Sequence, residues 1–273
     1  MAHKISSDSV AVITGAASGI GRALAARMAR EGAALALSDV NETGLRETAE
    51  LVAPHGVKVT TNTINVADKA AMEAYSGEVL AQHGRVTHLF NNAGVGILGT
   101  VDELSLEDIE WLMGINFWGV VYGVKFFLPI LKQQPKAHIV NLSSVFGLFA
   151  PAGQSAYCAS KFAVRGFTEA LRHEMDGTNI VVSTVYPGGI RTNIARASRV
   201  GAGAKPSDSE KASASFDKVA RTTPEKAADK IVRGMLAHKP RILVGPDAWA
   251  LDKLIRSLPL KHWPLVRSQM EWK

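Results

Sequence analysis

The chain has 273 residues, of which 47% are hydrophobic and 21% charged, a composition typical of a globular protein that buries a sizeable core. Its net charge of +6 is spread along the sequence without a dense Lys/Arg run, which argues against a nucleic-acid-binding arm. The single cysteine, Cys158, excludes an internal disulfide and fits a reducing, cytoplasmic location. The first ten residues lack the apolar core of a signal peptide, which agrees with that expectation.

The first predicted element is a buried strand from Val10 to Thr14, followed by a glycine-rich turn. Gly15, Gly19 and Gly21 form a Gly-x-x-x-Gly-x-Gly pattern that leads into a run of helix-forming residues. Glycines allow close backbone approach, and a helix N-terminus favours negative charge. The turn therefore suits a dinucleotide pyrophosphate, although a glycine-rich turn taken alone is often only a turn.

A second predicted strand ends at Asp39, which lies 18 residues after Gly21. An acidic side chain at this point can accept hydrogen bonds from the adenosine ribose hydroxyls, and it would repel a 2′-phosphate. Neither Ser18 nor the pair Val40–Asn41 supplies a cation for that phosphate. The sequence therefore favours NAD over NADP, while Asp39 could also serve as a helix N-cap.

Strands and helices alternate along the chain that follows. Further strands are predicted over 57–66, 86–90, 137–143, 180–186 and 241–245, and helices over 41–53, 68–83, 104–131, 156–175 and from Thr223 onward. Such alternation predicts an α/β fold: a single Rossmann-type doubly wound parallel sheet of about seven strands with helices on both faces. Residues 1–273 are predicted to form one catalytic domain with its site at the carboxyl ends of the strands.

Two segments depart from this alternation. Residues 190–221 are rich in Ala, Ser, Gly and Lys, and are predicted to form a mobile lid over the site or a plain surface loop. The tail, residues 247–273, is basic and amphipathic and contains three of the five tryptophans. It could lie on a membrane surface, but packing on its own domain or on a partner subunit is favoured because Pro259 and Pro264 interrupt it.

Tyr157 and Lys161 are four residues apart in a run with helical periodicity, so their side chains lie on one helix face. A neighbouring ammonium favours the phenolate and is expected to lower the tyrosine pKa toward neutrality, where the group can exchange a proton. A lone pair of this kind is common on ordinary helices. The rest of the chain decides its meaning.

Taken together, these motifs resemble those of the short-chain dehydrogenase/reductase family over nearly the whole chain to about residue 245. The glycine turn resembles the family's cofactor turn, and the run from Asn91 to Gly94 its Asn-Asn-Ala-Gly element. The matches to the family's active-site residues are Asn116, Ser144, Tyr157 and Lys161, with Ser144 selected over Ser143 by its 13-residue distance from Tyr157. Asn65–Val66 departs from the Asp-Val that the family often has at the adenine.

The resemblance implies hydride transfer at the nicotinamide, with Tyr157 as acid/base and Lys161 lowering its pKa and holding the ribose. It implies that Ser144 holds the substrate oxygen and that Asn116 positions a water beside Lys161. The cofactor contacts implied are Gly15, Ser18, Gly19, Ile20, Gly21, Asp39, Val40, Asn65, Val66, Asn92, Ala93, Gly94, Tyr157, Lys161, Pro187, Gly188, Ile190 and Thr192. Of these, Pro187, Gly188 and Thr192 match the family's segment that holds the nicotinamide carboxamide. No metal is expected.

The substrate is the least constrained part of the prediction. Apolar residues follow Ser144, and the pocket is predicted to contain Ser144, Phe146, Gln154, Tyr157 and Gly189, which suggests a mostly apolar secondary alcohol or ketone. Cations in the 190–221 segment leave open an acyl thioester of CoA or acyl carrier, and a non-catalytic NAD(H)-binding protein is a third possibility. The family commonly forms dimers and tetramers through two long helices, so a homodimer or homotetramer is expected. Neither nucleic acid nor a membrane is expected as a partner, and the tail is the one segment that could contact a membrane.

Overall fold

The computed structural model describes residues 5–201, 203, 214 and 220–267. Within them the strands are β1 Val10–Thr14, β2 Ala34–Asp39, β3 Val59–Thr63, β4 His88–Asn91, β5 Ile97–Leu98, β6 Ala137–Leu142, β7 Ile180–Pro187, β8 Arg199–Val200 and β9 Arg241–Val244. The helices are α1 Gly19–Arg30, α2 Glu42–Val52, α3 Lys69–His83, α4 Leu106–Met113, α5 Gly119–Lys132, α6 Ser155–Glu174, α7 Pro224–Leu236, α8 Pro246–Ser257 and α9 His262–Arg267.

The central sheet contains seven parallel strands in the order β3-β2-β1-β4-β6-β7-β9. β1 lies near the middle and pairs with β2 on one side, where Val10 is opposite Ala34, and with β4 on the other, where Ala11 is opposite His88. The strand order reverses between these two neighbours, which opens a crevice at the carboxyl edge of the sheet. The predicted doubly wound parallel sheet is confirmed.

Apolar side chains fill the space between the sheet and the helices on each face. On one face, Leu24 and Met28 of α1 pack with Ile231 of α7 in a core that also includes residues of β1 and β2. On the other face, Tyr75 of α3 and Phe127 of α5 pack edge to face, with ring centroids 5.8 Å apart. Burial on both faces explains why the central strands are continuous apolar runs rather than alternating ones.

Polar side chains fix where several helices begin. Asn41, Asp68 and Ser105 accept hydrogen bonds from backbone N–H groups in the first turns of α2, α3 and α4, at 3.0, 3.0 and 3.1 Å. Thr223 does the same at 3.4 Å for α7, where Pro224 occupies the first helical position. Each cap of this type contributes about 1 kcal/mol to helix stability.

The long helix predicted over 104–131 is interrupted by a single π-helical turn, Gly114–Trp118, between α4 and α5. The whole segment Leu106–Lys132 is long and apolar enough to cross a membrane by length and composition. The inner side of this segment packs inside the protein, because Val124, Phe127 and Leu131 are buried in the core against α3 and β4.

A small parallel pair, β5 with β8, was not predicted. It places Ile97 opposite Arg199 and joins the described start of the predicted lid to the loop after β4. Residues 190–201 of the 190–221 segment are therefore docked on the body of the protein. Most of the remainder, residues 202, 204–213 and 215–219, lies outside the described residues.

The described part of the tail packs on its own domain. α8 lies against β9 and the short 3-10 turn Val145–Gly147, and an ion pair of 2.7 Å joins Asp252 of α8 to Arg241 of β9. Lys253 lies over the ring of Trp249, 4.0 Å from its centroid. Packing on its own domain is one of the two arrangements that the sequence favoured for the tail over a membrane surface. Residues 268–273, including Trp272, lie outside the described residues.

Candidate active site

The first turns of α6 carry the predicted tyrosine and lysine. Lys161 is only 4% exposed, and its ammonium lies 5.6 Å from the centroid of the Tyr157 ring. The Lys161 Nζ donates a hydrogen bond of 3.2 Å to the carbonyl of Leu142, the last residue of β6. The helix thus places both side chains at the carboxyl edge of the sheet.

Two adjacent serines follow β6, and they do different work. The Ser143 hydroxyl donates to the Lys161 backbone carbonyl at 2.8 Å and so attaches the loop to α6. The Ser144 hydroxyl accepts a hydrogen bond of 3.1 Å from the Phe146 N–H, and it lies near enough to the Tyr157 phenol to lower the pKa of that group. The structure therefore places Ser144, rather than Ser143, beside the phenol.

Burial controls the ionisation of this pair. Desolvation raises the pKa of Tyr157 to about 12, and the nearby Ser144 hydroxyl offsets this rise only in part. Desolvation also lowers the pKa of Lys161 to about 8. The prediction that Lys161 brings the Tyr157 pKa toward neutrality is wrong for the protein alone, because desolvation raises this pKa and Lys161 is not among the groups that lower it.

Asn116 lies in the π-helical turn and is completely buried. Its Oδ1 accepts from the Val95 N–H at 2.8 Å, and its Nδ2 donates to the Val95 carbonyl at 3.0 Å and to Ser160 Oγ at 3.1 Å. The Ser160 hydroxyl in turn donates to the Tyr157 carbonyl at 2.7 Å. Sequence reasoning missed Ser160, which links Asn116 to the helix that carries Tyr157.

Gly94 brings the remaining members of the group together. A Cβ at this glycine would lie 3.2 Å from both Asn116 Oδ1 and Lys161 Nζ, so these two polar atoms flank the same bare stretch of backbone. Asn116, Ser144, Tyr157 and Lys161 therefore form one cluster at the carboxyl ends of β4 and β6.

The glycine turn after β1 lies beside this cluster. A Cβ on Gly15 would be 2.8 Å from the Cα of Ala93, and one on Gly21 would be 2.0 Å from the Gly15 carbonyl oxygen. Asn92 holds the turn in place, because its Nδ2 donates to the carbonyls of Thr14 and Gly15 at 2.9 and 3.0 Å.

Ser18 precedes α1, and Gly19 and Ile20 are its first two residues; the first N–H groups of this helix have no acceptor within it. Bare backbone and free N–H groups at the start of a 12-residue helix fit a dinucleotide pyrophosphate. The residues present thus fit the cofactor group that the glycine pattern predicts.

Asp39 ends β2 next to the glycine turn. Its Oδ2 accepts from the Ala17 N–H and its Oδ1 from the Asn41 N–H, each at 3.0 Å, so the carboxylate has a fixed orientation. The nearby cation, Arg22, is engaged by Glu47 at 2.7 Å and by Thr48 at 3.0 Å. Asn41, rather than Asp39, caps α2.

The predicted adenine contacts lie beyond Asp39. Val40 is 66% exposed, as expected of a residue left open to a ligand, whereas Val66 is buried against Gly119. The Asn65 Oδ1 accepts a hydrogen bond from the Ala67 N–H at 3.0 Å. One lone pair of that oxygen therefore already has a donor, and the second is left for an exocyclic amine.

The segment after β7 extends from the sheet edge toward the glycine turn. Pro187 ends the strand, Ile190 is buried, and a Cβ on Gly19 would come within 3.1 Å of the Thr192 methyl group. The Gly189 N–H donates a hydrogen bond of 2.6 Å to Asp247 in α8. Sequence reasoning missed Asp247, because it placed that residue at the start of an amphipathic tail.

Aromatic rings form one wall beside the phenol. Phe146 meets Tyr157 edge to face at 6.1 Å, Phe149 meets Phe146 at 5.4 Å, and His262 of α9 meets Phe149 at 6.4 Å. Gln154, the N-cap residue of α6, is 7% exposed and its side chain makes no capping bond. The tail thus borders the predicted substrate pocket.

Cations of the 190–221 segment are engaged by the protein where the structure describes their contacts. Arg191 donates to the Ala220 carbonyl at 3.0 Å. Arg199 lies over the Trp111 ring, with its guanidinium carbon 3.6 Å from the centroid, and 3.9 Å from Asp108. Lys205 lies outside the described residues.

A family model described as short chain dehydrogenase matches residues 9–202, which include the glycine turn and the four clustered residues. The chain belongs to the short-chain dehydrogenase/reductase family. The resemblance inferred from the motifs is thereby confirmed. The match stops before α7, β9, α8 and α9, so Asp247 and the tail lie outside the residues that define this short-chain dehydrogenase/reductase by sequence.

Individual relatives extend the similarity over nearly the whole chain. The Mycobacterium tuberculosis oxidoreductase SadH is 45% identical over 260 residues, which cover 94% of this chain and 93% of SadH. A short-chain dehydrogenase/reductase from Burkholderia phymatum, solved in complex with NAD, is 33% identical with a TM-score of 0.86 and covers 99% of both chains. A 1-deoxy-11-beta-hydroxypentalenate dehydrogenase from Streptomyces avermitilis is 35% identical over 69% of this chain and 71% of its own.

Proposed function

We propose that this short-chain dehydrogenase/reductase is an NAD-dependent enzyme that interconverts a secondary alcohol and a ketone, with Tyr157 as the acid/base. The observation that carries the proposal is the Tyr157 phenol, half-buried beside the Ser144 hydroxyl, with the Lys161 ammonium 5.6 Å from the centroid of its ring. A protein that only binds NAD(H) has no need of this arrangement. The redox chemistry, removal of a hydride from the carbinol carbon or its return to the ketone, is what NAD supplies when bound.

Proton transfer is the part that belongs to the protein. In the reduction direction the Tyr157 Oη donates its proton to the substrate oxygen; the phenol carries this proton at neutral pH because burial raises its pKa to about 12. In the oxidation direction the same atom takes the proton from the alcohol, and the Lys161 ammonium stabilises the phenolate. With its pKa lowered to about 8, Lys161 is mostly protonated at neutral pH and still able to pass a proton on.

Ser144 can orient the reacting oxygen. Its Oγ already accepts a hydrogen bond from the Phe146 N–H, so the hydroxyl proton remains for donation to the substrate oxygen. A donor placed there stabilises negative charge as it develops on that oxygen. Asn116 acts at a distance from the substrate, because its amide is used to join the Val95 backbone to Ser160 and so to α6.

The choice of NAD over NADP rests on charge. The fixed Asp39 carboxylate would accept hydrogen bonds from ribose hydroxyls and repel a 2′-phosphate. Arg22, the cation that could offset this repulsion, is held by Glu47 and Thr48. The NAD complex of the Burkholderia phymatum relative supports the same choice.

A mostly apolar substrate is favoured by the aromatic wall of Phe146 and Phe149 beside Tyr157. One relative is named as the dehydrogenase of a hydroxypentalenate, and this name agrees with an alcohol as the substrate of this chain. An acyl thioester of CoA or acyl carrier is less favoured, because the cations Arg191 and Arg199 contact the protein itself.

The test is a panel of alcohols and ketones assayed by nicotinamide absorbance, once with NAD or NADH and once with NADP or NADPH. We expect turnover of apolar secondary alcohols or their ketones, with NAD preferred by tenfold or more in kcat/KM (about 1.4 kcal/mol or more). A preference for NADP would contradict the role of Asp39. Turnover of acyl thioesters in place of apolar ketones would overturn the substrate class.

A further inference from the structure

A side chain of α8 holds the loop that follows β7. Asp247, in the first turn of that helix, accepts a hydrogen bond of 2.6 Å from the Gly189 N–H through its Oδ2. The neighbouring Gly188 N–H donates to the Val244 carbonyl at 2.9 Å, which continues the pairing of β7 with β9. The loop is therefore fixed at two successive backbone N–H groups.

The contact with Asp247 depends on two glycines. A Cβ on Gly188 would lie 2.0 Å from Asp247 Oδ2, and a Cβ on Gly245 would lie 2.4 Å from Oδ1. Gly245 also has a φ of 103°, which L side chains rarely adopt. Both chain segments thus have glycine where the carboxylate passes, and any side chain at either position would displace it.

We infer that Asp247 is the positioning residue for the Pro187–Thr192 segment, and that it sets this segment for the nicotinamide half of NAD. The inference rests on the proposed function. The segment begins at the end of β7, beside the Ser144 loop, and extends to Thr192, which approaches Gly19 of the glycine turn. A carboxylate that fixes Gly189 between these ends determines where the whole segment lies over the site.

A purely structural role for Asp247 would be to stabilise the N-terminus of α8 or to attach that helix to the sheet. The attachment is already provided by Asp252, which pairs with Arg241 of β9 at 2.7 Å. The bond from Asp247 goes to a residue 58 positions earlier in the chain, outside its own helix. Asp252 therefore offers a matched control: the same helix and the same residue type, without contact with the loop.

The experiment compares the binding of NAD and of ADP-ribose by calorimetry. ADP-ribose contains the adenosine half and both phosphates but lacks the nicotinamide. For Asp247→Ala we expect the Kd of NAD to rise about tenfold or more, the effect of losing a hydrogen bond to a charged group, while the Kd of ADP-ribose stays within twofold. Asp247→Asn retains an acceptor oxygen and should recover part of the loss, and Asp252→Ala should leave both ligands unchanged.

Amide hydrogen exchange at Gly189 gives a readout without any ligand. It should become faster in Asp247→Ala and stay unchanged in Asp252→Ala, with both variants checked for folding by thermal unfolding. If Asp247→Ala does not fold, the same comparison is made with Asp247→Asn, which keeps the shape and removes the charge.

Three outcomes would overturn the inference: equal loss of NAD and ADP-ribose binding, the same loss in Asp252→Ala, or no loss in either Asp247 variant. Wild-type protein that binds neither NAD nor ADP-ribose would instead overturn the proposed function on which the inference rests.

Discussion

At the scale of a single residue, burial of the Lys161 ammonium in the site lowers the stability of the folded protein. Its ammonium is 4% exposed and has one described hydrogen bond, to the Leu142 carbonyl, so burial disfavours the charged form and lowers its pKa to about 8. A group whose folded-state pKa lies below its ordinary value of 10.5 destabilises the fold where it is protonated. The residue thus lowers stability at neutral pH in exchange for its function.

We therefore expect Lys161→Met to be more stable than the wild type at pH 7 while losing activity. Between about pH 8 and 10.5 the unfolded wild type binds more protons than the folded one, so wild-type stability rises with pH, by roughly 3 kcal/mol in total. The advantage of the variant should shrink across this window. Urea unfolding at pH 7 and pH 10 measures it.

The control is Lys69→Met, at an exposed position at the start of α3, which should change the unfolding free energy equally at both pH values. An equal difference between Lys161→Met and wild type at pH 7 and pH 10 would show that burial does not govern the Lys161 charge.

Single residues were predictable from sequence where the motif itself fixes their place. Tyr157 and Lys161 share a helix face by spacing, and Ser144 follows a strand that must end at the same edge. The pKa of Tyr157 was not predictable, because the degree of burial depends on packing around Phe146 and Ser144 that spacing does not reveal.

At the scale of elements, the sequence pattern predicted long helices and strands and missed the features that depend on distant partners. The π-helical turn at Asn116 lies in a segment with helical periodicity. The Asn116 side chain bonds to the backbone of Val95, which is 21 residues away in the chain. β5 and β8 have two residues each and pair across about a hundred residues of chain. Strands this short carry no periodicity to detect.

The β5–β8 pair supports a prediction for the docked segment 190–201. Arg199→Ala removes the stacking on Trp111, an interaction worth about 0.5–1 kcal/mol at an exposed site. We expect substrate KM to rise roughly two- to fivefold with little change in kcat, together with faster proteolysis within this segment.

Arg199→Lys keeps the charge but loses the planar stacking. Its substrate KM and its rate of proteolysis should lie between those of the wild type and those of Arg199→Ala. An unchanged KM and an unchanged cleavage rate in Arg199→Ala would show that the contact with Trp111 does not hold the segment.

At the scale of the whole molecule, the fold followed from alternation, because a parallel strand needs a crossover and a helix supplies it. This alternation does not determine how copies of the chain assemble. Trp118, the last residue of the π-helical turn, forms an aromatic row with Tyr122 and Phe126 of α5. Trp118 is 47% exposed, Tyr122 and Phe126 are half-buried, and the ring centroids are 5.8 and 6.3 Å apart. Phe162 on α6 is 39% exposed.

We predict that this aromatic row contacts a second copy of the chain in a homodimer or homotetramer. Trp118→Glu should lower the mass measured by analytical ultracentrifugation at a concentration where the wild type is assembled, because a charge is costly in an apolar contact. Leu260→Glu, at a position that is 92% exposed between α8 and α9, is the control and should leave the mass unchanged. A monomeric wild type would contradict the prediction.

The most direct test of Tyr157 as the acid/base is the rate of the redox reaction in Tyr157→Phe, measured with the best substrate of the panel. The variant lacks only the phenolic oxygen, so we expect it to fold and to bind NAD with a Kd close to that of the wild type. Its kcat should fall by about 10²–10⁴-fold, the contribution of a positioned acid/base, in both directions. A Tyr157→Phe enzyme that retains most of its activity would contradict the mechanism.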